Sequence, residues 1–127
     1  MKKLLTALLV GFTTLQPPVL ACNDEYPLQN KLAYQSHMIE DLDQKIYDVL
    51  GDERILSQGK DYCKELGHGY PFSGLVEKIN RDTDPSLYVG DPQYKEAFTS
   101  NMRHYFTRSL VNAGLYLCPQ HASKVQQ

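Results

Sequence analysis

With 127 residues, three cysteines and a formal charge of −2, the chain has room for one domain, and its core gains from a covalent staple. It contains neither a Lys/Arg run nor a basic stripe interleaved with aromatics. Nucleic acid is therefore excluded as an expected ligand, because a mildly acidic surface repels phosphate polymers. Nine tyrosines and no tryptophan suit half-buried positions where the ring packs and the hydroxyl stays wet.

Lys2 and Lys3 precede an apolar run, Leu4 to Leu15, that is too short to span a bilayer, and the small Ala21 precedes Cys22. Residues 1–21 read as an export signal peptide rather than a transmembrane helix. Val19 and Ala21 suit an ordinary signal peptidase, whereas Val19-Leu20-Ala21-Cys22 resembles a bacterial lipobox with Cys22 as the lipidated residue. Both routes cut before Cys22 and leave about 106 residues. Loss of the two lysines moves the formal charge from −2 to −4. Cysteine parity favours the lipid: an acylated Cys22 leaves Cys63 and Cys118 as an even pair in an oxidising compartment, while a bare Cys22 leaves an odd thiol. The expected location is exported, periplasmic or at the cell surface, with membrane attachment through a lipid on Cys22.

Asn23 to Lys31 is polar, contains Pro27 and has no period, so residues 22–31 read as a tether. From Leu32 the pattern becomes helical. Met38, Ile39, Leu42, Ile46, Val49 and Leu50 recur at helical spacing, and Gly51 supplies a stop. A second helix starts after Asp52, where Asp52 and Glu53 favour the positive end of the dipole, and it buries Ile55, Leu56, Gly59, Cys63 and Leu66. Gly59 within that stripe costs about 1 kcal/mol in helix propensity, which predicts a close approach by another element. A third, short helix capped by Ser73 turns Leu75, Val76 and Ile79 inward. It gives way to a loop, Asn80 to Gly90. Asp91-Pro92 then opens a long fourth helix with the stripe Phe98, Met102, Tyr105, Phe106, Ser109, Leu110, Ala113 and Leu117, ended by Pro119.

No stretch alternates as a strand, so the fold class is all-α: a bundle of about four helices over residues 32–121, with residues 122–127 as a disordered tail. Helices two and four each carry a cysteine near the C-terminal end of the apolar face. A Cys63 to Cys118 bridge would join those ends and, in the chain-entropy account, would contribute about 4 kcal/mol.

The pattern Gly59-x-x-x-Cys63-x-x-Leu66-x-x-Gly69, followed by Ala113 and then Leu117-Cys118-Pro119-Gln120-His121, resembles the domain-of-unknown-function 732 family of small exported bacterial proteins. The resemblance spans Met38 to His121. It implies a small helical domain closed by Cys63 and Cys118, and it brings no catalytic residues. Asn80 to Asp91 reads as an insertion relative to that family, and Cys22 lies outside its pattern.

Chemistry that these residues could support is sparse. Cys63 with His68 and Cys118 with His121 form a formal zinc set, but the spacings are unfamiliar and exported cysteines oxidise. Asp82, Asp84, Ser86 and Asp91 could offer oxygens to calcium. Leu87, however, occupies the sixth position of the loop, where an EF-hand needs glycine, and Gln93 stands at the twelfth. Neither Gly-x-Ser-x-Gly nor His-Glu-x-x-His occurs. His37 and His104 read as surface histidines, and Asp41 with Asp43 as a solvated face. The expectation is a non-enzymatic envelope protein with no cofactor and no metal, a lipid-anchored helical module for an unknown protein partner. Partner contact is expected on the loop Gly67 to Ser73 through His68, Tyr70 and Phe72. A more particular alternative is an immunity or superinfection-exclusion lipoprotein that neutralises a toxin or phage component, with surface charge steering a basic partner.

Overall fold

The computed structural model describes residues 26–126, so the signal segment and Cys22 lie outside the described residues. Every regular element among the described residues is helical. The first helix, α1, covers Leu28–Asp41, so the expected tether is already helical over its last four residues. Half-buried Tyr26 packs against the core, and the Pro27 carbonyl accepts the amides of Asn30 and Lys31. Sequence periodicity missed this start because Leu28 and Leu32 both face outward and mark no inward stripe.

The expected long first helix is broken. Leu42 turns extended, at φ −104° and ψ 149°, and Asp43 caps a second short helix, α2 (Gln44–Leu50), by accepting the Lys45 amide at 2.9 Å. An aspartate that can bond its own downstream amides offers the backbone an alternative to continuing a helix. Leu42 is thereby buried, while Ile39 and Val49, expected inward, are 57% and 81% exposed. Gly51, at φ 84°, closes α2; this left-handed conformation is one that residues with a Cβ seldom adopt.

Helix α3 (Asp52–Gly67) buries Ile55, Gly59, Tyr62, Cys63 and Leu66. Gly59 has a packing reason: a Cβ there would lie 2.5 Å from Cζ of Tyr34. The Tyr34 ring crosses from α1, fully buried, and its hydroxyl donates to the Ile55 carbonyl at 2.8 Å. Helix α4 (Phe72–Asp82) follows from Pro71 without a side-chain cap, two residues earlier than the expected Ser73 cap would place it. Leu75 and Ile79 are its buried positions. Beyond it, Arg103 donates to Thr83 through Nε to Oγ1 and Nη2 to the carbonyl, each at 3.0 Å, which fastens the end of α4 to the last long helix.

That helix, α5 (Pro92–Asn112), begins at the expected Asp91 cap, which accepts the Tyr94 amide at 3.2 Å. Over Ala113–Leu117 it widens into a single π turn, where the Cys118 amide donates to the Ala113 carbonyl at 2.8 Å. The chain then continues as a 3-10 segment, Pro119–Val125. The tail expected to be disordered from residue 122 is folded through Val125 for a reason remote in sequence: Val125 is buried against Gly114, where a Cβ would lie 2.7 Å from its methyl carbons. Lys124 Nζ also donates to the Leu66 carbonyl at the end of α3, at 2.9 Å.

The Cys63 and Cys118 sulfurs are bonded, with Cα atoms 6.0 Å apart and 55 residues between them in sequence. Opposite this staple, the C-terminal end of α1 is tied to α5. Asp41 accepts from Arg108 Nε and Asn112 Nδ2, both at 2.9 Å, and its carbonyl lies 2.7 Å from His104 Nε2. A carboxylate at a helix C-terminus opposes the dipole, and Arg108 compensates. Burial works against the Asp41 charge, but the hydrogen bonds from Asn112 and Arg108 outweigh it and hold the carboxyl below the usual range. Asp41 is therefore a structural link and not the solvated-face residue expected from its charge.

Candidate binding groove

Helices α3 and α4 form a hairpin whose turn needs Gly69 at φ 90°. The Tyr70 amide donates back to the Glu65 carbonyl at 3.2 Å. Because the helices diverge from this turn, a groove of about 500 Å³ opens between them, backed by Phe106 of α5. Its floor is apolar and aromatic: Tyr62, Leu75 and Ile79 are all buried. Its rim is charged. Asp61 and Glu65 stand one helical turn apart on α3, a like-charge pair that weakens a helix on its own. Lys78 and Asp82 pair along α4 at 3.2 Å. Burial first, and the neighbouring Glu65 carboxylate second, push the Tyr62 phenol well above its ordinary value.

His68 and Tyr70 both line this groove, and Tyr70 is 56% exposed. Phe72 is not with them. It is half-buried and packs against the core as the first residue of α4, so its ring is committed to the fold. Cys63 and Cys118 are consumed by their bond. His121, the remaining member of the formal zinc set, rests with Nε2 3.7 Å from where a Cβ on Gly67 would be. Burial, with help from Lys124, lowers its pKa. The oxygens weighed for calcium are used locally: Asp84 caps the Ser86 amide at 2.9 Å, Asp91 caps α5 and Asp82 holds Lys78. Among the described residues, no three His, Cys, Asp or Glu side chains converge on a common point.

A second surface escaped the sequence reading. Phe98, expected in the buried stripe of the long helix, is 40% exposed and stacks on Tyr94, with ring centroids 5.9 Å apart. Tyr88 meets Phe98 edge-on at 5.7 Å, while Leu87 and Val89 stand out beside them, 63% and 96% exposed. The only available signal was composition: the loop before α5 joins aromatic and aliphatic residues, Leu87, Tyr88 and Val89, in one run.

No protein-family model matches the chain, and no solved structure does. A 53-residue stretch is 36% identical to malonyl CoA-acyl carrier protein transacylase of Staphylococcus aureus, in strains COL and MRSA252 among others. It covers 42% of this chain and only 17% of the transacylase, too short a stretch to bring that activity with it. No described helix is long and apolar enough to cross a membrane.

Proposed function

We propose that the chain is a non-enzymatic, exported cell-envelope protein, held at a membrane by a lipid on Cys22, whose helical domain binds a protein partner in the groove between α3 and α4. The groove itself carries the reading. It joins an apolar aromatic floor to a polar rim, the arrangement that lets a partner side chain bury its body while the rim fixes its orientation. The exposed Tyr70 on its rim is of a residue type enriched among the anchors of such contacts. The basic and apolar start of the chain, the lipobox-like approach to Cys22 and the even pair of remaining cysteines support export and anchoring. The resemblance to the domain-of-unknown-function 732 family supports the same compartment.

A second reading, an immunity or superinfection-exclusion lipoprotein, is favoured by the surface of α2 and the start of α3. Exposed Asp43, Asp48, Asp52 and Glu53 share the stretch around the exposed Val49 and outnumber the exposed Lys45 and Arg54 there, a net acidic surface suited to steering a basic toxin or phage component. A photo-crosslinking residue placed at Tyr70 or at Val49 in the full chain, expressed in its own envelope, separates the two readings. Groove binding predicts a product from position 70 that is lost with Asp61→Lys and Glu65→Lys; a product from position 49 alone would favour the acidic surface. Mass spectrometry of the mature chain tests the anchor, because an unmodified Cys22 would remove it.

A further inference from the structure

We infer that one face of α1, formed by Leu28, Leu32 and Ile39, rests on the bilayer that carries the lipid of Cys22; the inference depends on the anchor proposed above. The three side chains are 67%, 56% and 57% exposed. At 100° per residue they fall within about 40° of one another around the helix, so they make one stripe, separate from the core face that buries Tyr34 and Met38. Among the described residues, no element closes over this stripe.

The path of the chain determines what covers it. Tyr26 is packed against the core, with Lys60 Nζ 5.7 Å from its ring centroid, so the domain starts there. Residues 23–25 are all that separate the lipid-bearing Cys22 from it, so Cys22 and Tyr26 lie at most about 14 Å apart even when the chain is fully extended. A folded domain of this size has a radius of gyration of about 13 Å. The connection is therefore shorter than the domain is wide, and the face where the chain emerges must touch the membrane. Leu28 begins the stripe two residues after Tyr26. Leu28 and Ile39 are about 17 Å apart along the helix axis, so contact at both lays α1 along the surface. Helices held this way sink their apolar side chains about 5–10 Å into the boundary between headgroups and acyl chains.

The chain has no tryptophan, so Leu32→Trp, Ile39→Trp and Val89→Trp each provide a single emitter. The full chain is expressed with its N-terminal segment, recovered from membranes, checked for acyl mass and reconstituted into phosphatidylcholine–phosphatidylethanolamine vesicles with plain or brominated acyl chains. The expected result is blue-shifted emission that loses intensity in brominated vesicles for Leu32→Trp and Ile39→Trp, and neither change for Val89→Trp. Water-like, unquenched emission from the first two variants of an acylated chain would overturn the inference and leave the anchor intact. A blue shift that ignores bromine and grows with protein concentration would assign the stripe to a second copy and overturn it as well. An unmodified Cys22 would remove the anchor and the inference together.

Discussion

The two ends of α5 belong to one helix with a continuous apolar stripe, yet they are built differently. At the C-terminal end Leu110, Ala113, Leu117 and Cys118 are buried, because α1, α3 and the final segment converge there and the sulfur bridge ties them. At the N-terminal end Tyr94 and Phe98 stack on each other with much of their surface exposed, and Arg103 clasps Thr83 just beyond the end of α4. A helical stripe becomes core only where other elements reach it. About 30 Å of helix separates a stabilising end from a displayed one, and the chain leaves for Cys22 on the stabilising side, where Asn30 Nδ2 donates to the Leu117 carbonyl at 3.3 Å.

The contrast breaks most completely if the bridge is removed. Cys63→Ser and Cys118→Ser should each cost about 4 kcal/mol, and the double variant should cost no more than either alone, because one bond is lost in all three; thermal melts of the oxidised proteins measure this. Smaller losses should follow from filling the two glycine contacts on the stabilising side. Gly59→Ala drives a methyl into a Tyr34 ring that is hydrogen-bonded and fully buried, and should cost about 2 kcal/mol even after the gain in helix propensity. Gly114→Ala meets Val125 near the chain end, where the segment can yield, and should cost about 1 kcal/mol. Denaturant titrations that found either variant unchanged would contradict the packing.

The Asp41 link should appear as a pH dependence. Its folded pKa is depressed, so its contribution is complete above the ordinary aspartate value of about 4 and fades as pH falls through the lower folded value. Asp41→Asn should lower stability at neutral pH by about 1 kcal/mol or less and flatten the acid limb of the stability curve. The smallest effects belong to the displayed end: Val89→Ser and Leu87→Ser should change stability by no more than about 0.5 kcal/mol. A larger loss would show that this surface is covered.

Features governed by nearby residues were legible in the sequence. Gly51, the Asp91-Pro92 start of α5 and the inward spacing of Ile55, Gly59, Cys63 and Leu66 all follow from local rules. The break at Leu42 was also local, but it turned on a competition between the Asp43 cap and a strong helical period that spacing alone does not decide. The folded tail was illegible because it depends on Gly114 accepting Val125, a meeting set by the tertiary path. The same holds for Phe98, whose position fits the stripe but whose neighbours stop short. At the groove, sequence indicated the turn residues His68 and Tyr70; it could not show that Asp61, Glu65 and Lys78 would line the same cleft, nor that Phe72 would turn inward.

The π turn at Ala113–Leu117 holds one residue more than an ordinary helical turn between the same hydrogen-bonded ends, the Ala113 carbonyl and the Cys118 amide. A chain one residue shorter here could close an α turn between those ends and keep Cys118 opposite Cys63. A residue lost from the regular part of α5 instead rotates everything beyond it by about 100° and takes Cys118 out of the narrow range of separations that a sulfur bridge tolerates. A single-residue deletion within the π turn should therefore leave the bridge formed, whereas one between Tyr105 and Asn112 should yield protein with two free thiols. Thiol titration of the two deletions would register the spacing of the chain as a chemical signal.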